Sequence, residues 1–144
     1  MLALLVALVL AGCGGDGDER SAAAERAALL CDEARADIEA LGLPAEAGIG
    51  IVRPWANRGT RLAKDIRVLQ GATPSEDETL QKLATALDEY YAGLRLGHTI
   101  YTQTKSFDAY AATIERANAF LADADAAAVD LGAPECAVRP FADA

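Results

Sequence analysis

The sequence predicts an all-α protein, specifically a four-helix up-and-down antiparallel bundle behind an N-terminal leader and a flexible tether. Three observations support this prediction. Alanine is the commonest of the 144 residues and only 6% are aromatic, a composition that favours helices. Apolar residues recur at alternating spacings of three and four along four segments, as they do on one face of a helix. No segment has the period-two pattern of a half-buried strand.

The chain begins with an unbroken apolar run over residues 2–10. The run falls short of the roughly 20 residues of a membrane-spanning helix but matches the apolar region of a signal peptide. It ends in Leu10, Ala11, Gly12 and Cys13, a branched apolar residue followed by two small residues and a cysteine. This pattern resembles the lipobox of bacterial lipoproteins. The resemblance implies a lipid (palmitate-bearing) modification of the Cys13 thiol and cleavage between Gly12 and Cys13.

Three regions are therefore expected: a lipoprotein signal peptide over residues 1–12, a lipidated cysteine with a flexible tether over 13–20, and a helical-bundle domain over 21–144. The glycines and aspartates after Cys13 cannot bury a face, which suits a tether. Lipid on Cys13 would hold the domain on the extracytoplasmic face of the cell membrane. No Lys or Arg precedes the apolar run, so the translation start is expected upstream of Met1. The alternative is a buried apolar segment that happens to precede a cysteine.

Two helices are predicted in the first half of the domain. The first ends before Gly42 and Pro44, and its inward stripe is Ala24, Ala27, Cys31, Ala34, Ile38 and Leu41. The second ends at Gly71, and its stripe is Trp55, Gly59, Leu62, Ile66 and Leu69. Gly48, Gly50 and Pro54 are expected to interrupt any helix between the two. Residues 44–53 are interpreted as an irregular crossover with room for a short helical turn.

The third helix has the clearest predicted start. Thr73 fits an N-cap, Pro74 the first helical position and Glu76 the acidic residue of a capping box. Asp77 and Glu78 add negative charge where the helix dipole favours it. The stripe that follows is Leu80, Leu83, Leu87, Tyr90, Leu94, Gly97 and Tyr101.

A turn is predicted over residues 102–106, followed by a fourth helix that Gly132 ends as a C-cap. The stripe of this helix is Phe107, Tyr110, Ile114, Ala117, Leu121, Ala124, Ala128 and Leu131. The short connection predicts that the third and fourth helices are antiparallel neighbours.

With Cys13 assigned to lipid, Cys31 and Cys136 form an even pair in a compartment where disulfides persist. In an antiparallel bundle the end of the fourth helix lies near the start of the first, so a structural disulfide between Cys31 and Cys136 is expected. Two buried free thiols are the alternative.

Three features resemble a set of alanine-rich, exported helical-bundle proteins of high-GC Gram-positive bacteria. They are a cysteine near the start of the first helix (Cys31), a proline-containing turn into a leucine-rich helix (Pro74), and a final helix that leads to Cys136. The resemblance implies the bundle fold and the disulfide, and no activity.

Several chemistries are disfavoured. A net charge of −9 argues against nucleic acid as a partner and gives no attraction to anionic lipids. The only histidine, His98, has no nucleophilic serine motif to serve, and it is interpreted as a solvated surface residue. One histidine and two paired cysteines cannot supply a zinc site. No catalytic residue, metal or cofactor is therefore expected, and the protein is not expected to be an enzyme.

Two groups of residues remain as binding candidates. Tyr90, Tyr91, Tyr101, Phe107 and Tyr110 could line a small-molecule pocket with His98, Thr99, Thr102, Gln103 and Thr104 nearby, or simply close one end of the bundle. Asp123, Asp125, Asp130 and Glu135 could bind a divalent cation, or form an ordinary solvated face. The leading hypothesis is a non-enzymatic module that contacts a protein or another envelope component. The alternative is a membrane-tethered receptor for a small molecule.

Overall fold

The computed structural model describes residues 20–42 and 48–138. The predictions for the signal peptide, for lipidation of Cys13 and for most of the tether lie outside these ranges. So do the residues at 43–47, which include part of the predicted crossover.

The described residues form four α-helices that pack against one another, which confirms the all-α prediction. The helices are α1 (Ala22–Ala40), α2 (Val52–Arg67), α3 (Pro74–Thr104) and α4 (Phe107–Leu131). Two 3₁₀ segments, Gly48–Ile51 and Pro134–Cys136, precede α2 and follow α4, and no strand occurs in the described ranges. None of these helices is both long enough and apolar enough to cross a membrane.

Side-chain oxygens cap three of the four helix starts. Ser21 Oγ accepts from Ala24 N at 3.0 Å, and Ser106 Oγ accepts from Ala109 N at 3.2 Å. Thr73 Oγ1 accepts from Glu76 N at 3.2 Å, with Pro74 at the first helical position as the sequence predicts. These bonds satisfy N–H groups that have no acceptor inside the helix.

The start of α2 corrects one prediction. Pro54 was expected to interrupt any helix, yet α2 begins at Val52 and contains Pro54 in its first turn. Proline is tolerated there because the first N–H groups of a helix have no acceptor within it. The segment Gly48–Ile51 is a 3₁₀ turn that runs directly into α2, so this part of the predicted crossover is regular.

Three helix ends also differ from the prediction. Helix α2 ends at Arg67, so Leu69 lies in the loop, where it still packs against the core. Leu41 is the C-cap of α1 and is exposed. Helix α3 continues to Thr104, and the turn shrinks to Lys105 and Ser106. Lys105 adopts a left-handed conformation (φ 56°), which lets the chain reverse so tightly.

Contacts between neighbouring helices are made in opposite sequence order. Between α3 and α4, Tyr101 packs on Tyr110, whereas Gly93 lies against Ala117. The glycine matters at position 93, because a Cβ atom there would lie 2.5 Å from the Ala117 Cβ.

The contacts between α2 and α3 also run in opposite sequence order, and one ion pair joins α1 to α2. Between α2 and α3, Gln81 donates to the Arg67 carbonyl at 3.1 Å, and Gly59 lies under the Tyr91 ring. Between α1 and α2, Arg58 Nε lies 2.6 Å from Asp37 Oδ2.

Alanines dominate the buried face of α1, and larger side chains fill the centre of the molecule. Its largest fully buried side chains include Tyr90, Leu83, Leu87, Leu94 and Ile66. Small residues on α1 let this helix approach its neighbours closely, while α3 supplies most of the bulk.

A disulfide joins Cys31 of α1 to Cys136, with 5.0 Å between the two Cα atoms. Both cysteines are buried. The pairing expected from the sequence is therefore present, and it links α1 to the 3₁₀ segment that follows α4.

Candidate functional site

The structure separates the tyrosines that the sequence suggested as one cluster. Tyr90 and Tyr91 lie in the middle of α3, are 0% and 2% exposed, and contact each other edge to face with ring centroids 4.9 Å apart. Tyr101 lies about 15 Å further along the helix axis, given the rise of an α-helix. Tyr90 and Tyr91 are thus core residues that do not line an open site.

Tyr91 packs over a specific gap in α2. Gly59 lies beneath its ring, and a Cβ atom at position 59 would fall only 2.2 Å from the ring atom Cζ. Burial raises the pKa of the Tyr91 phenol well above its ordinary value, while the nearby Arg58 lowers it to a smaller extent. Tyr91 therefore remains a neutral phenol in the folded protein.

The remaining three rings form a small group at the α3–α4 turn. Tyr110 contacts Tyr101 and Phe107, with ring centroids 6.1 and 5.7 Å away. Lys105 Nζ lies 5.8 Å from the Tyr101 ring centroid. Burial raises the pKa of Tyr110, whereas Phe107 is 66% exposed. This group closes one end of the helix pair and presents a single exposed ring.

The hydroxyl groups near this turn bond to the backbone of α3. Thr99 donates to the Arg95 carbonyl at 3.0 Å, Thr102 to the Thr99 carbonyl at 2.8 Å, and Thr104 to the Ile100 carbonyl at 2.8 Å. These threonines are exposed, as is the neighbouring Gln103. The threonine hydroxyls therefore do not converge on a common point.

His98 is half-buried, and its carbonyl oxygen accepts from the Thr102 hydroxyl at 3.0 Å. Within residues 20–42 and 48–138, its imidazole makes no hydrogen bond or ion pair. Among the described residues, the imidazole is therefore not bonded to a carboxylate or hydroxyl that could act with it.

The four acidic residues at the end of α4 have different surroundings. Asp125 Oδ1 accepts from Val138 N at 3.3 Å, and Glu135 Oε1 pairs with Arg20 Nη1 at 2.7 Å. Asp123 and Asp130 are exposed on another face of α4. No group of three or more metal-ligating side chains is present in the described ranges, and these four do not converge.

Glu135 ties the two ends of the described chain together. Besides its pair with Arg20, its carbonyl oxygen accepts from Arg35 Nη2 of α1. The pKa of the Glu135 carboxyl is lowered, first by a hydrogen bond from its own backbone and then by the hydrogen bond from Arg20. These contacts lie next to the Cys31–Cys136 disulfide and hold Arg20 against the 3₁₀ segment Pro134–Cys136.

The start of the domain also contacts the start of α3. The Ser21 hydroxyl donates to Glu76 Oε1, while Glu76 Oε2 accepts from Ala72 N at 2.6 Å. Glu76 thus accepts from the N–H of Ala72, one residue before the Thr73 N–H that a capping box would use. Through Ser21 it also holds the beginning of α1. Arg20 and Ser21 consequently lie beside the α2–α3 loop and the disulfide.

A surface groove that the sequence did not suggest lies between α3 and α4. It has a volume of about 530 Å³. Its floor is mainly apolar, and we name the whole feature the acidic groove, lined by Glu78, Gln81, Lys82, Thr85, Ala86, Glu89, Phe120, Asp123, Ala126, Ala127 and Asp130.

Negative side chains outnumber positive ones around the acidic groove. Glu78 is paired with Lys82 at 2.9 Å, and the pair lowers the pKa of Glu78 and raises that of Lys82, chiefly through their hydrogen bond. Glu89, Asp123 and Asp130 have no ion-pair partner in the described part of the chain. The groove therefore combines an apolar floor with an excess of negative charge on both walls.

Sequence patterns carried a partial signal for this groove. Glu78, Lys82 and Glu89 lie at helical spacing on one face of α3, and Asp123 and Asp130 lie seven residues apart on α4. Only the packing of α3 against α4 brings these two faces together, and the residue spacing within either helix does not predict that packing.

Comparison with protein-family models, with curated proteins and with solved structures finds no match for this chain.

Proposed function

We propose that this protein is a lipid-anchored, extracytoplasmic four-helix module that acts by contact with a protein or another component of the cell envelope. The observation that carries the proposal is the arrangement of the N-terminal sequence. A short apolar run ends in Leu10, Ala11, Gly12 and Cys13, a glycine- and aspartate-rich stretch follows, and the helical domain begins at Ser21. A lipid, a tether and a rigid unit would then follow one another without a gap.

The packing supports an up-and-down antiparallel arrangement of the bundle. Contacts run in opposite sequence order between α2 and α3 (Arg67–Gln81, Gly59–Tyr91) and between α3 and α4 (Tyr101–Tyr110, Gly93–Ala117). Such a bundle would have its α2–α3 loop and its disulfide near the lipid, because Arg20 pairs with Glu135 there. Residues 14–19 span at most about 20 Å when extended, which would keep this end close to the membrane.

The distribution of aromatic residues favours a contact module over a small-molecule receptor. A receptor of the kind expected from the sequence needs several tyrosines around one cavity, and Tyr90 and Tyr91 are instead buried in the core. The groove with the apolar floor lies on the outer face of α3 and α4, away from the aromatic turn. An open groove on a helix pair suits a macromolecular partner.

Photocrosslinking in the native membrane tests this proposal. A photoreactive amino acid at exposed surface positions of the wild-type chain should give discrete crosslinked products in the membrane fraction. The Cys13→Ser variant should carry no lipid, and because it would keep its apolar leader, its membrane association alone does not test the anchor. Lipid on Cys13→Ser, or the absence of any position-dependent product in the wild type, would contradict the proposal.

A further inference from the structure

We propose that the acidic groove between α3 and α4 binds a cationic amphipathic helix of a partner protein. This inference rests on the proposed function and deepens it, because it names the surface and the chemistry of the partner. Its evidence is the shape of the groove, the polarity of its floor and the signs of the charges along its walls.

The shape of the groove suits a helix. Its α3 wall runs from Glu78 to Glu89, a length of about 16 Å or three turns. Ala86, Ala126 and Ala127 line the floor, and their small side chains allow a partner backbone to approach closely. A helix laid along the groove would pack against both α3 and α4, as a third member of the helix pair.

One large apolar side chain lines the groove, and another lies further along α3. Phe120 lines the groove and is half-buried. Leu96, seven residues after Glu89 on the same face of α3, is 54% exposed. Exposed apolar side chains in line with an apolar groove give a partner helix more surface to cover.

The charge on the walls selects the sign of the partner. Among the described residues that line the groove, Glu89 lies on the α3 wall and Asp123 and Asp130 on the α4 wall. Lys82, the cation in this lining, is paired with Glu78 and is also attracted to Asp130. Lysine or arginine side chains flanking the apolar face of a helix would meet carboxylates on both sides. An acidic helix would be repelled, and a neutral apolar ligand would leave these carboxylates without partners.

Peptide binding to the full chain in a non-ionic detergent tests this inference. The probe is a synthetic peptide of about 14 residues with leucine and alanine on one helical face and lysine on the flanks, since that length gives roughly four turns. It should bind with an affinity that falls as salt rises, and a peptide with glutamate in place of lysine should not bind. Amide shifts in NMR spectra should be confined to residues 78–96 of α3 and 120–130 of α4.

Two double variants with the same net charge locate the binding surface. Asp123→Lys with Asp130→Lys should weaken binding of the cationic peptide about tenfold, because two attractive contacts become repulsive. Glu33→Lys with Glu39→Lys on exposed positions of α1 should leave affinity within about twofold. All four positions are exposed, so both variants should retain the helical circular-dichroism signal of the wild type.

Equal weakening by both double variants would overturn the inference, because it would indicate attraction to net charge alone. Absence of binding, or shifts confined to the aromatic turn, would overturn it as well. Self-association of the chain that the α4 variant abolishes would assign the groove to a second copy and overturn the partner helix. In each case the crosslinking result in the membrane decides separately whether the contact-module proposal stands.

Discussion

Among the glycines of residues 20–42 and 48–138, Gly59 has the least room for a side chain. Alanine has the higher helix propensity, by about 1 kcal/mol, and would stabilise an unconstrained helix. Here a Cβ atom would lie 2.2 Å from the fully buried Tyr91 ring, which has no space to move. Gly59→Ala should therefore lower the free energy of unfolding by about 1–3 kcal/mol, as measured by denaturant titration.

Gly50 provides the matched control for this substitution. It lies in a 3₁₀ turn, and a Cβ atom there would meet no atom within 4 Å. Gly50→Ala should change stability by less than about 0.5 kcal/mol. Similar losses in both variants would show that the Tyr91 ring does not set the requirement for glycine at position 59.

The buried phenol of Tyr91 predicts sensitivity to alkaline pH. Its pKa is raised in the folded protein, so its contribution to stability is fully present below the ordinary tyrosine value of 10.0 and is lost as pH rises above it. Above about pH 10, unfolding free energy should fall with a slope that approaches about 1.4 kcal/mol per pH unit from this residue. Tyr91→Phe should show a correspondingly flatter decline in the same titration.

A decline of identical slope in Tyr91→Phe would contradict that assignment. Tyr110 also has a raised pKa from burial, so Tyr110→Phe serves as a comparison for a phenol nearer the surface. The sequence places Tyr91 and Tyr110 on helices but cannot give their depth, because α3 and α4 are each long enough to have both buried and exposed parts.

At the scale of the helices, the start of α3 depends on one hydroxyl. Thr73 Oγ1 accepts from Glu76 N, and Thr73→Ala would leave this N–H without its cap. The expected cost is about 1 kcal/mol in unfolding free energy. Thr99→Ala is the control, because the Thr99 hydroxyl donates to a carbonyl inside the same helix and alanine has the higher helix propensity.

Thr99→Ala should be neutral or slightly stabilising in the same denaturation assay. If Thr73→Ala is equally neutral, the Thr73 hydroxyl does not stabilise the start of α3. The helix would then depend on Pro74 and tertiary packing for its first turn.

Local sequence predicted the helix starts better than the connections. Thr73 has a hydroxyl that can cap a helix, and Pro74 has a φ angle fixed near the helical value. The start of α3 was therefore predicted correctly. Pro54 was misread as an interruption, because the same residue is compatible with a first turn and harmful in a helix interior. Pro54 lies in a first turn because α2 begins at Val52, and that starting point distinguishes the two cases.

The acidic groove could not be predicted at this scale. Each wall is an ordinary charged helix face in the sequence, and the negative excess arises only when α3 and α4 are placed side by side. The sequence suggests a metal site along the end of α4 alone, whereas Asp123 and Asp130 share their surface with Glu78 and Glu89 of the other helix.

For the molecule as a whole, the disulfide between Cys31 and Cys136 closes a loop with a sequence separation of 105 residues. Restricting the unfolded chain over such a length stabilises the fold by about 4–5 kcal/mol in the chain-entropy model. Reduction, or the double change Cys31→Ser with Cys136→Ser, should lower the unfolding midpoint strongly. Cys13→Ser should leave the stability of the helical domain unchanged, and a wild type indifferent to reductant would contradict the disulfide.

The disulfide was predictable because it depends on the number of cysteines and on the order of the helices. An odd number of cysteines, one of them in a lipobox-like sequence, left a pair for the disulfide, and Cys31 and Cys136 do lie at bonding distance. The suggested aromatic cluster is divided, because Tyr90 and Tyr91 share α3 with Tyr101 but lie at a different level along that helix. Tyr91 contacts α2, whereas Tyr101 contacts α4.

The mass of the N-terminal peptide from the membrane-extracted protein tests the lipid anchor most directly. The chain expressed from its native start should yield a first residue Cys13 that carries a diacylglyceryl group with labelled palmitate. Cys13→Ala should incorporate no label and should retain residues 1–12. An unmodified Cys13 in the wild type, or equal labelling of Cys13→Ala, would contradict the lipid-anchored module.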